Sequence, residues 1–327
     1  MTSTPNDLDI ADALEGALLG LALGDAVGFV VEAQPPAVAR EYVDCCLRTG
    51  RADARAHPAF PFGQYSDDTQ LARELLLSVH ESSGWDPRGF AARVASLVLA
   101  GKDVGAGPGT RGSGMRVALG APWDRAGAPA PYAGNGSAMR AGPLGVLFGG
   151  DADRWRRCVR EQSRVTHQDP RSVAGAIAIA GAVSLARGAP LTHPPRFLEQ
   201  LASWVEDDDP SMAGAIRGLA GWRHLEPSDA AAYLGVVAEG VTPFVVPSVL
   251  WSLYAFLRSP DDYWEAICTA IVVGGDTDTT AAMTGAIAGA RLGRTALPAP
   301  LLERLTDRGS WDAGDLGRLA RECARIG

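Results

Sequence analysis

Runs that alternate apolar and polar residues between turn signals are nearly missing from this 327-residue chain, which removes the case for a sheet protein. Metal-binding cysteine spacing is missing as well. The five cysteines are an odd number, Cys45 and Cys46 are adjacent, and no Cys-x-x-Cys or Cys/His cluster occurs. Neither a disulfide framework nor a zinc site is expected, and the thiols are read as reduced. Lysine is scarcer still: Lys102 is the only one among 30 basic residues, set against 38 acidic ones for a net charge of −8. With no basic stripe to follow a phosphate backbone, general nucleic-acid binding is not expected. The first residues, "MTSTPNDLDIAD", are polar and acidic rather than a basic, apolar leader. The longest apolar stretch, "GALLGLALGDAVGFVVE", is broken by Asp25 and by Gly16, Gly20, Gly24 and Gly28, which reads against a bilayer span. The expectation is a soluble, cytoplasmic monomer with no membrane partner.

What is abundant is helical periodicity. At 46% hydrophobic and 21% charged, the chain can bury a large core. Apolar residues recur at helical spacing over about 8–24, 36–48, 68–82, 86–100, 110–120, 137–148, 151–162, 171–187, 195–206, 211–222, 245–258, 261–273, 278–292 and 312–326, so the fold class is all-α. Glycines four residues apart, at Gly16, Gly20 and Gly24 and again at Gly285 and Gly289, predict closely packed central helices. No low-complexity linker divides the chain, and a single domain over 1–327 is expected, with 101–136 as its Gly/Pro-rich connection.

Two acidic clusters carry the chemistry. In "YSDDTQLA", Asp67 and Asp68 follow Ser66 at the start of a helix; capping explains one of these carboxylates, not both. In "VGGDTDTTAAMTGAIAG", Asp276, Asp278 and Thr279 enter another helix from a Gly274–Gly275 turn. If the two helix starts meet, four carboxylates crowd together and must either take up protons or share a cation. Hard oxygen donors without thiolate or imidazole suit Mg²⁺, Mn²⁺ or Ca²⁺, and four acidic ligands suffice for two ions roughly 3.5–4 Å apart.

These segments, together with "GNGSAMRAGPLGVLF" and "VTHQDPRSVAGAIA", follow one another in a familiar order, and over about residues 12–293 the chain resembles the ADP-ribosylglycohydrolase family. The resemblance implies an all-α, orthogonally packed multi-helix bundle with a binuclear Mg²⁺ or Mn²⁺ centre at the base of a cleft. It implies metal ligation by Ser66, Asp67 and Asp68 from the first cluster and by Asp276, Asp278 and Thr279 from the second. Glu32 matches a mobile acidic position near the metals, where it would gate, accept a proton or do both; by itself it reads as a solvated residue after a helix end. Asp25 is either a partner that orients the metal ligands or a plain turn residue.

The glycine-rich "AGNGSAMR", read as opening a helix at about residue 137, is either a simple turn or an anion cradle. The resemblance favours the second, with Gly134, Asn135, Gly136, Ser137 and Met139 at the diphosphate and ribose and Gly107 assisting. His167 matches a histidine near the ribose and phosphates, or is a satisfied core residue; His57, His80, His193 and His224 are read as structural. Tyr65, Tyr132 and Phe148 are the candidate adenine-stacking rings, and "EDDDP" at 206–210 is read as a capping turn. The implied activity is metal-dependent hydrolysis at C1″ of ADP-ribose on a modified protein, nucleobase or small molecule, with Asp68, Glu32 and Asp278 as catalytic carboxylates. The rival is a module that binds ADP-ribose or a related nucleotide and catalyses nothing.

Overall fold

The structure, a computed structural model, describes residues 9–187, 191 and 193–326. Among these there is no β-strand, only isolated bridges between loops. The helices are α1 (Ile10–Gly28), α2 (Pro36–Tyr42), α3 (Asp67–Ser82), α4 (Pro87–Leu99), α5 (Pro108–Ala118), α6 (Gly142–Leu147), α7 (Ala152–Thr166), α8 (Pro170–Arg187), α9 (Pro194–Val205), α10 (Pro210–Gly218), α11 (Pro227–Leu234), α12 (Val245–Arg258), α13 (Tyr263–Ile271), α14 (Thr277–Leu292), α15 (Ala299–Leu302) and α16 (Ala313–Cys323). Many begin on proline, whose fixed φ and missing N–H cost nothing in a first turn. Aspartates then accept the free N–H groups. Asp86, Asp151, Asp209, Asp262 and Asp312 each cap the helix that follows, so the 206–210 run is a capping turn.

Three expectations change. The 137–148 helix shrinks to α6, because residues 134–141 form successive tight turns, with Ala138 N–H bonded to Asn135 O and Ala141 N–H to Ala138 O. Helix α11 has no counterpart in the sequence reading: "PSDAAAYL" buries only Ala230 and Ala231, too little contrast for a periodic signal. The segment Ile10–Val31 is long and apolar enough to cross a bilayer, despite its glycines and Asp25. It is nonetheless wholly buried inside the protein, as a core helix is.

At the centre α1 runs antiparallel to α14 with almost no side chain between them. A Cβ on Gly16 would sit 2.2 Å from Gly289 O, on Gly20 2.3 Å from Gly285 O, on Gly24 2.2 Å from Ala281 O, and on Gly28 2.3 Å from Thr277 O. Four successive turns are therefore in backbone contact, and the C-terminal end of α1 is pinned to the N-terminal end of α14. The remaining helices pack around this pair through one hydrophobic cluster.

A single methyl group tests the contact. Gly20→Ala has nowhere to go but into a carbonyl, and we expect it to cost about 3 kcal/mol or more in denaturant unfolding. Gly214→Ala, in α10 with open space around the added carbon, should instead be neutral or stabilise by up to about 1 kcal/mol. Equal effects at the two positions would show that the close approach carries no weight.

Candidate functional site

The pinned ends of α1 and α14 bring the acidic residues together. Asp25, in the last turn of α1, accepts hydrogen bonds from Ser66 N–H (2.8 Å), Thr69 N–H (3.0 Å) and Thr69 Oγ1 (2.5 Å), fastening the start of α3 to α1. Ser66 Oγ accepts from Asp68 N–H. Capping of α3 is thus done by Ser66 and Asp25, and the side chains of Asp67 and Asp68 are left for another purpose. On the other strand of the site, Gly274 and Gly275 adopt φ of 77° and 80°, and a Cβ on Gly275 would lie 2.1 Å from Val241 O. This clamped turn presents Asp276 and Asp278. Asn135 Nδ2 donates to Asp276 Oδ2 (2.5 Å) and to Ser248 Oγ (3.0 Å), so the cradle residue orients a carboxylate.

Two groups of carboxylates result, each with its oxygens within 4.8 Å of one another: Asp25, Asp68 and Asp278, and Glu32, Asp276 and Asp278. Asp278 belongs to both. Burial raises every member above its ordinary pKa, and repulsion from neighbouring carboxylates adds to this for Glu32, Asp68 and Asp278. Asp25 rises to about 6 and Glu32 to about 7, in both cases mainly through burial. Asp67, Asp68 and Asp278 are pushed well above the usual carboxylate range by burial first and neighbouring carboxylates second. Asp68 Oδ2 and Asp278 Oδ1 are buried without any hydrogen-bond partner, while Thr279 Oγ1 donates to Asp68 Oδ1 at 3.4 Å. Orphaned oxygens on two carboxylates of one cluster, all hard donors, fit a divalent cation of the Mg²⁺ or Mn²⁺ type.

Above them lies a solvent-open cleft of about 150 Å³. Its acidic floor is Glu32, Asp67, Asp68, Asp276, Asp278 and Thr279, and its walls include Gly107, Gly134, Asn135, Gly136, Met139 and His167. Ser66 and Ser137 are not on its surface. Ser66 Oγ accepts the α3 cap bond in the interior, and Ser137 Oγ donates to Ser172 O in the interior. Because α6 starts at Gly142, the glycine cradle does not open a helix at 137, and any anion held there meets turn backbone without a helix dipole. Among the candidate rings, Tyr132 lines the cleft. Tyr65 is buried with its hydroxyl donating to Trp311 O, and Phe148 packs beneath the Arg154 guanidinium. Gly105, Pro108, Thr110 and Pro243 also line the cleft without having been expected; for the first three, the "GAGPGTRG" loop was the available signal.

A family model described as ADP-ribosylglycohydrolase matches residues 6–326. The chain belongs to the ADP-ribosylglycohydrolase family. It is 30% identical over 300 residues to an uncharacterized protein of Archaeoglobus fulgidus, covering 91% of this chain and 92% of that one. With the ADP-ribosylhydrolase ARH3 of Bos taurus it shares 29% identity over 320 residues, 86% of each chain. A solved structure of an ADP-ribosylglycohydrolase-related protein complex matches with a TM-score of 0.74 at 28% identity, over 97% of this chain and 99% of that one.

The raised carboxylates of this glycohydrolase-family chain set a pH dependence. An acid whose folded pKa lies above its unfolded value stabilises the fold below the unfolded value, and the contribution is lost as pH rises through the folded value. For Asp25 and Glu32 that loss runs from about 4 up to about 6 and 7. With chelator present, the melting temperature should therefore fall between pH 5 and pH 8. Added Mg²⁺ or Mn²⁺ should restore more at pH 8 than at pH 5. A chelated protein that melted higher at pH 8 would contradict the crowding of these groups.

Proposed function

We propose that the protein is a divalent-metal-dependent hydrolase that cleaves the glycosidic bond at C1″ of ADP-ribose, releasing ADP-ribose from a modified protein, nucleobase or small molecule. The observation that carries this reading is the pair of acidic groups sharing Asp278, with orphaned oxygens on Asp68 and Asp278, at the floor of a glycine-walled cleft. Membership of the family and the name of the Bos taurus relative support the same reaction class.

Asp67, Asp68, Asp276, Asp278 and Thr279 are the residues that would hold two Mg²⁺ or Mn²⁺ ions, with Asp25 holding the α3 ligands in place from behind. Such ions supply Lewis-acid stabilisation of developing charge and a water of lowered pKa. Glu32 differs from the other carboxylates in being only partly buried, at the mouth of the floor. That position suits it to take a proton from the attacking water, whereas Asp68 is tied to Thr279 and to the ligand set. The turn at 134–136 approaches the ligand with bare backbone, and Asn135 couples that turn to Asp276, so seating of the diphosphate and placement of a ligand carboxylate are linked.

Release of ADP-ribose from arginine-, serine-, nucleobase- and acetyl-linked substrates, with Mg²⁺ or Mn²⁺ and with chelator, is the direct test. At least one linkage should be cleaved, and only with metal. Tight binding of ADP-ribose with no release from any substrate would make the protein a reader rather than a hydrolase. Asp278→Asn should lower turnover at least about a hundredfold, while the melting temperature in chelator stays level or rises as repulsion is relieved. Retained activity in that variant would remove Asp278 from the centre.

A further inference from the structure

His167 stands at the C-terminal end of α7, with Thr166 and Arg140 behind one edge of its ring and glycines against the other. Arg140 is fully buried and spends its guanidinium entirely inside the protein. It donates to Gln162 Oε1 (2.7 Å), Gln162 O (3.0 Å), Gly136 O (2.8 Å) and Thr166 Oγ1 (2.7 Å). Thr166 Oγ1 in turn lies 2.8 Å from His167 Nδ1. A hydroxyl has one proton to give. With Arg140 already donating to the oxygen, and with these two contacts the ones its oxygen makes among the described residues, the Thr166 proton has His167 Nδ1 as its acceptor. The reverse arrangement, with Nδ1 protonated, would leave a buried hydroxyl proton without a partner.

The opposite edge of the ring is kept bare by glycines. A Cβ on Gly134 would lie 3.0 Å from His167 Nε2, one on Gly109 3.1 Å from the same atom, and one on Gly136 2.8 Å from Cε1. Any other residue at these three positions would cover the nitrogen that faces the cleft.

We propose that Arg140 and Thr166 are positioning residues that hold His167, which the family resemblance already puts near the ribose and phosphates, in its Nε2–H tautomer, so that it meets an oxygen of bound ADP-ribose as a donor. The ligand in this statement rests on the proposed function; the tautomer does not. The charged groups facing the ring agree with a permanent donor role. Burial first and Arg140 second hold the imidazole neutral, down to about 3, against Asp169, whose charge is taken up by Arg171 at 2.7 Å. A neutral ring with a fixed proton can serve phosphate or ribose oxygen over the whole working pH range without the cost of desolvating an imidazolium.

Long-range proton–nitrogen NMR on the full chain with Mg²⁺ and no nucleotide reads the tautomer directly, the signals of His167 being assigned by their absence in His167→Gln. The expected spectrum has a protonated Nε2 and a bare Nδ1. Calorimetry with ADP-ribose then separates positioning from packing. Thr166→Val keeps the shape and loses the proton, and should weaken binding about five- to tenfold with loss of the single tautomer. Thr166→Ser should restore both to within about twofold. A bare Nε2 in the unsubstituted protein, unchanged affinity in Thr166→Val, or an equal loss in Thr166→Ser would each overturn the inference. Absence of any ADP-ribose binding by the unsubstituted protein would instead count against the proposed function, with the tautomer still decided by the spectrum.

Discussion

The backbone contact between α1 and α14 is the constraint from which the site follows. Glycines on four successive turns let two helices meet at carbonyl distance, and that contact fixes where the last turn of α1 stands against the first turn of α14. Asp25 and Glu32 come from one side and Asp276 and Asp278 from the other. None of these carboxylates gains from the company of the rest. They are held together because separating them would mean opening a core that is packed on every side, whose apolar burial far outweighs a few repulsive pairs.

Within that crowd the roles are divided by hydrogen bonding. Asp25 has three donors and acts as a peg between α1 and α3. Asp276 is anchored by Asn135, which belongs to the cleft wall. Asp68 and Asp278 keep a buried oxygen with no partner, and the unmet demand of those oxygens points to a cation. The opposite wall is built on the reverse logic. Arg140 is a buried cation with four hydrogen bonds to the protein interior, and through Thr166 it leaves His167 with one bare nitrogen between glycines. The cleft thus places an unsatisfied acidic floor beneath a wall whose histidine is held in place from behind.

The sequence reading was most successful where a residue type and its neighbours leave few physical options. The capping run at 206–210, glycines every fourth residue, and paired aspartates at helix starts were all readable. It failed where the deciding partner is distant in the chain. Residues 137–141 carry a helical pattern but are drawn into turns that tie Asn135, Gly136 and Arg140 together. The Ile10–Val31 segment could cross a bilayer by composition, and only its burial assigns it to a core.

By itself, then, the sequence determined the helical class, the close-packing stripes and the identity of the acidic donors, because these depend on local periodicity, on side-chain size and on the chemistry of single groups. The tertiary structure alone decided that Asp25 is a peg rather than a turn residue, that Asp278 serves both carboxylate groups, and that Arg140 reaches His167 through Thr166. Those outcomes depend on distances between atoms far apart in the chain, which no local pattern encodes. They were settled when α1 and α14 closed on one another and everything attached to their ends was carried into register.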